Sequence, residues 1–85
     1  MKYYAIGKSY DLGYSDKAAS DRLSDKSGNE IFETKKAAQA TARSYIKAAM
    51  HYPFKYTQNR SADGMHYLAR NFDLGMGCVV DIVEA

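Results

Sequence analysis

The sequence has few of the residues that cross-link or interrupt small proteins: its 85 residues include one cysteine, one proline and no tryptophan. A single cysteine, Cys78, excludes an internal disulfide, so nothing indicates an oxidising compartment. No window approaches the roughly 18 apolar residues of a membrane-spanning helix. The opening residues, MKYYAIGKSY, lack the long apolar segment of a signal peptide, and we therefore expect a cytoplasmic protein with no membrane partner.

Side chains that commonly carry catalysis or bind metals are also sparse. Cys78 lies in the apolar run GCVV, where we expect a buried, unreactive thiol rather than a nucleophile. His51 and His66 have no second histidine, cysteine or carboxylate at metal-ligand spacing. Gly75 and Gly77 lack the third glycine of a phosphate-binding loop and predict a plain turn. The sequence predicts a protein that is not an enzyme and that uses no metal or cofactor.

The clearest pattern in the chain is an alanine-rich run over residues 34–52, which contains no glycine or proline. Thr34 is the expected N-cap, and Pro53 ends the run because the residue before a proline is disfavoured in a helix. We predict an amphipathic helix over 35–51 whose small inner face packs closely on a sheet. That face is Ala38, Thr41, Ala42, Tyr45, Ile46, Ala49 and Met50.

Most of the remaining chain favours extended structure. Strands are predicted at 2–10, 30–33, 54–60, 65–72 and 78–83, and residues 11–29 predict either a loop or a short helix with Ala18, Ala19 and Leu23 inward. Together these elements predict a single α+β domain. Its small antiparallel sheet would have about four to five strands and end in a three-stranded meander. One long amphipathic helix would pack on one face of that sheet.

Period-two alternation assigns some strand residues to faces. We expect the helix to contact Tyr3, Ala5 and Gly7 of the first strand, although the reverse assignment also fits the pattern. In the last strand, the residues expected to face the helix are Cys78, Val80 and Ile82.

The sequence also suggests details of the second hairpin. The pair Asp63–Gly64 predicts a two-residue turn with positive φ at both positions, placing Arg60 opposite Tyr67 and Gln58 opposite Ala69. Strict alternation would put Leu68, Arg70 and Phe72 on one face, and we expect a bulge near 69–71 to prevent this.

Charge is strongly segregated along the chain, although the formal net charge is only +2. Residues 35–70 carry seven basic residues against a single acid, Asp63, whereas residues 11–33 carry six acids against three bases. Within the predicted helix, Lys36, Arg43 and Lys47 form one row, and no Glu or Asp of the helix neutralises it. Such a row predicts docking on an acidic partner.

The function that fits best is a non-catalytic protein-binding module that occludes a surface of a larger partner. The partner would be a protein or protein–nucleic acid complex with an acidic surface, and the module would be a monomer or homodimer. Eight tyrosines supply candidate contact area. By analogy of size alone, such chains include phage or mobile-element inhibitors of host defence machinery, of the anti-CRISPR type. The predicted binding residues are Lys36, Arg43, Lys47, Tyr10, Tyr56 and Arg60.

Two other functions are consistent with the sequence. The first is a nucleic-acid-binding domain that uses the basic 35–70 block with its interleaved tyrosines. Against it, no known reader motif is present and the pI of about 8.7 lies below the value near 9 typical of such domains. The second is capture of a small nucleotide at a dimer interface lined by tyrosine and arginine.

Overall fold

A computed structural model describes residues 1–14 and 17–85. Within these ranges the elements are β1 (Tyr3–Asp11), β2 (Asp21–Arg22), α1 (Lys35–Ala49), β3 (Thr57–Arg60), β4 (His66–Asn71) and β5 (Met76–Glu84). The strands form one antiparallel sheet in the order β2-β1-β5-β4-β3, and α1 packs across one face of it, over β1 and β5. The predicted α+β fold, with its C-terminal meander and single packed helix, is confirmed.

The ends of α1 are fixed by hydrogen bonds between its first and last turns and the residues that flank it. At the start, the Thr34 hydroxyl accepts a hydrogen bond of 3.1 Å from the Ala37 N–H, as expected of an N-cap. At the other end, the N–H groups of His51 and Tyr52 donate to the carbonyls of Ala48 and Lys47, with His51 in the left-handed region at φ 58°. This arrangement is a Schellman motif, and it ends the helix at Ala49, two residues before the predicted end.

The core lies between α1 and the sheet, and it is built from small residues at the closest contacts. A Cβ on Gly7 would lie 3.0 Å from the Tyr45 ring, so the absence of a side chain in β1 lets the helix approach. The predicted inward residues of β1 and β5 do face the helix. The buried apolar residues are Ala5, Leu23, Phe32, Ala38, Ala42, Ile46, Met50, Tyr67, Ala69, Cys78, Val80 and Ile82.

Several predictions about the elements differ from the structure. The strand predicted at 54–60 begins only at Thr57, because residues 51–54 form the turn that follows α1 and Phe54 is exposed. Residues 30–33 are not a strand, because Phe32 exchanges a single pair of backbone hydrogen bonds with Tyr3 and its neighbour Ile31 is exposed. The 11–29 segment is not wholly a loop, since it contains the short strand β2. The predicted short helix does not extend over residues 18–29, and its expected start at Ser15 lies outside the described residues.

The predicted bulge near 69–71 is also wrong. β4 pairs with β5 in unbroken register from His66 to Asn71, so Leu68 and Arg70 share the face opposite α1. With this unbroken alternation the Asn71 side chain points inward, where it forms two hydrogen bonds. Its amide donates to the Met50 carbonyl at 2.9 Å, and its carbonyl accepts from the Leu74 N–H at 3.1 Å.

The β3–β4 hairpin has the predicted register but a different turn. Arg60 pairs with Tyr67 and Gln58 with Ala69, as expected. The turn is closed by a 2.9 Å hydrogen bond from the Gly64 N–H to the Ser61 carbonyl, and Gly64, at φ 71°, has positive φ whereas Asp63 does not. Asp63 instead accepts hydrogen bonds from the Ser61 hydroxyl and the Met65 N–H, which hold the loop together.

Candidate functional site

The first candidate surface is the basic ridge, defined as Lys36, Arg43 and Lys47 on the solvent side of α1. All three side chains are exposed, and the row extends for about 16 Å along the helix at 1.5 Å per residue. The exposed residues beside the row, Ala40 and Ser44, are small. A flat partner surface could therefore approach all three cations together.

The ridge is not neutralised by neighbouring acids in the part of the chain that the structure describes. Within residues 1–14 and 17–85, no carboxylate lies within ion-pair distance of Lys36, Arg43 or Lys47. The ammonium of Lys47 lies 5.2 Å from the centre of the Tyr52 ring, which leaves its charge intact. The ridge thus presents three cations to solvent.

Lys35 belongs to the same helix as the ridge but lies near a carboxylate, that of Asp63. Hydrogen bonds from the Ser61 hydroxyl and the Met65 N–H lower the pKa of the Asp63 carboxyl, and the nearby charge of Lys35 lowers it further. Lys35 is half-buried beside the hairpin turn, whereas the ridge residues are exposed on the outer side of α1. Lys35 and the ridge residues therefore differ although they belong to the same helix.

The other three predicted binding residues do not join the ridge in one surface. Arg60 is exposed on the edge strand β3 and, being opposite Tyr67, lies on the helix side of the sheet. Tyr56 is half-buried and packs against the core. Tyr10 belongs to the opposite side of the sheet, because it alternates with the inward-facing Ser9. Arg60 therefore lies on the same side of the sheet as the ridge, whereas Tyr10 does not.

The second candidate surface lies on the open face, which is the side of the sheet away from α1. Cross-strand pairing places Tyr10, Gly77, Arg70 and Thr57 in one row across β1, β5, β4 and β3. A Cβ on Gly77 would lie 2.8 Å from the Tyr10 ring, so the tyrosine rests directly on the glycine backbone. The sequence signal for this surface is the strict alternation that puts Arg70 and Phe72 on one face. The expected bulge near 69–71 would have separated them, and it does not form.

An open groove of about 340 Å³ continues this row at the end of the sheet. Its walls are formed by Lys55, Tyr56, Thr57, Arg70, Phe72 and Asp73. Phe72 is 65% exposed, an unusual setting for a phenylalanine. The groove thus combines aromatic rings with two cations and one carboxylate.

Two side chains with catalytic potential, Cys78 and His66, lie in different settings. Burial raises the pKa of the Cys78 thiol to about 11, so the thiolate is scarce at neutral pH. His66 contacts the Asp81 carboxylate on the open face, and both side chains are about half exposed. Among the described residues, no group of three or more His, Cys, Asp or Glu could hold a metal ion. No helix of those residues has the length and apolar character needed to cross a membrane.

Comparisons of the chain with protein-family models, with curated proteins and with solved structures found no significant match.

Proposed function

We propose that this chain is a non-catalytic binding module that docks its basic ridge on an acidic surface of a larger protein and thereby occludes that surface. The observation that carries the proposal is the exposed row of Lys36, Arg43 and Lys47, which no described carboxylate neutralises. Three like charges on one helix face repel one another slightly, and an acidic partner would relieve that repulsion.

The setting of the ridge supports a role in docking. Its helix is capped by Thr34 and anchored in the core by Ala38, Ala42 and Ile46, so the three cations are held on a rigid element. A rigid contact surface loses less conformational entropy on binding than a flexible one. Arg60, on the same side of the sheet, could extend the contact beyond the helix. Occlusion of this kind would also suit an inhibitor of host machinery, the class expected from the size of the chain.

The proposal is tested by recovering the partner and measuring the salt dependence of binding. The tagged chain is captured from its native host, the co-purifying protein is identified, and the complex is re-formed from the two purified components. We expect a dissociation constant that rises roughly tenfold or more between about 50 mM and about 200 mM salt, because exposed charges are screened over about 10 Å at 0.1 M. A dissociation constant that is unchanged by salt would show that the ridge does not drive the association.

A further inference from the structure

The open face carries an arrangement that the protein-docking function does not use. Tyr10 rests on Gly77, and Arg70 is the next residue across the sheet from that glycine. Because one side of the Tyr10 ring is supported by backbone and the residue is only half-buried, its outer side is available to a planar ligand. Neighbouring strands lie about 4.8 Å apart, so Tyr10 and Arg70 are about 10 Å apart across two strand spacings.

A second ring and a second cation lie at the same end of the face. Phe72 is exposed, and it lines the groove together with Arg70 and Lys55. We define Tyr10, Arg70, Phe72 and Lys55 as the open-face band. Alternating aromatic rings and cations are the combination with which proteins hold unpaired bases and their phosphates.

The charges of the open face favour an anionic occupant. Of the two acids near the band, Asp81 is engaged by His66, and Asp73 lies on the groove wall. Arg70 and Lys55 are joined farther along the face by Arg22, whose guanidinium carbon lies 4.0 Å from the centre of the Tyr4 ring. A second copy of the chain would bring the same cations face to face, so the charge pattern disfavours a symmetric dimer through this face.

We propose that the open-face band binds single-stranded nucleic acid, with bases stacked on Tyr10 and Phe72 and phosphates held by Arg70 and Lys55. A duplex would fit less well, because its bases are already stacked on one another and do not expose their faces to the two rings. This inference is independent of the basic ridge, which lies on the other side of the sheet. The two surfaces together would suit a partner that is itself a protein–nucleic acid complex.

The test is a fluorescence-anisotropy titration with labelled single-stranded DNA and RNA of mixed sequence, about ten nucleotides long, at about 50 mM and about 200 mM salt. We expect saturable binding that weakens at the higher salt concentration. Tyr10→Leu, which still covers Gly77, and Phe72→Leu should each weaken binding about tenfold through the loss of stacking. Arg70→Gln should weaken binding and reduce its salt dependence.

Lys26→Gln is the control, because it removes one exposed positive charge beside α1, on the other side of the sheet from the open-face band. It should change the affinity less than threefold or so, as expected for the loss of a distant, screened charge. Three results would overturn the proposal: no saturable binding, equal losses for Lys26→Gln and Arg70→Gln, or duplex binding as tight as single-strand binding. Sedimentation showing a dimer that Phe72→Leu dissociates would also overturn it, because a second copy would then cover the band. Phe72 is exposed, so its variant should remain folded whatever the effect of changing Tyr10.

Discussion

The double variant Lys36→Glu, Lys47→Glu is expected to bind the protein partner about a hundredfold more weakly than the wild type. Each change replaces an attraction with a like-charge repulsion against the same acidic surface, and such contacts cost several kcal/mol at an interface. Adding Arg43→Glu should remove measurable binding. The measurement is a titration of the purified partner by calorimetry or surface plasmon resonance.

The fold should tolerate these substitutions, because both side chains are exposed. A glutamate at position 36 lies in the first turn, where the helix dipole favours it, and one at 47 lies in the last turn, where the dipole opposes it. The matched control is Lys17→Glu, Arg22→Glu, which gives the same net charge and places a change on the open face instead of on the ridge. It should weaken binding less than tenfold or so. Equal losses in the two double variants would indicate a response to overall charge and would refute docking through the ridge.

Replacing Asn71 with alanine should lower the free energy of unfolding by about 2–4 kcal/mol. The Asn71 side chain is fully buried and bonds both the Met50 carbonyl at the end of α1 and the Leu74 N–H in the β4–β5 turn. Its removal would leave a buried acceptor and a partly buried donor without partners, and each unsatisfied group costs about 1–3 kcal/mol. The loss is measured by urea denaturation followed by far-UV circular dichroism.

Asn59→Ala provides the comparison for this change, since Asn59 is exposed on β3 and the substitution removes the same atoms. Its effect should lie within about 0.5 kcal/mol, as is usual for surface positions. Similar effects of the two substitutions would show that Asn71 does not join the helix end to the β4–β5 turn. Because this residue links two loops at one end of the molecule, its loss should also loosen the groove beside Phe72.

The features that the sequence predicted well depend on local or periodic signals. Thr34 and the alanine-rich run define α1 within two residues, since capping and helical spacing involve only near neighbours. The same periodicity placed Lys36, Arg43 and Lys47 in one exposed row. The hairpin register was also correct, because any turn centred between Asp63 and Gly64 gives the same strand pairs.

The errors arise where a residue's partner is distant in the chain. No local sequence signal marks Asn71 as buried, because its partner, the Met50 carbonyl, reaches it only when the chain folds. The bulge is expected because strict alternation puts Leu68, Arg70 and Phe72 on one face, yet β4 is uninterrupted and the Phe72 ring lies in solvent. Likewise, the sequence predicts that Tyr10 binds the same partner as the ridge, whereas its pairing with Gly77 places it on the open face. Sequence periodicity predicts which residues of a strand share a face, but it does not predict which other strand pairs with it.

The most direct test of the ridge as a docking surface is lysine labelling of the free chain and of its complex with the purified partner. Both are treated with an acetylating reagent, and modification of each lysine is quantified by mass spectrometry. Docking through the ridge predicts that Lys36 and Lys47 become protected in the complex while Lys17 reacts as before. Equal modification of Lys36 and Lys47 in the free and bound states would contradict it.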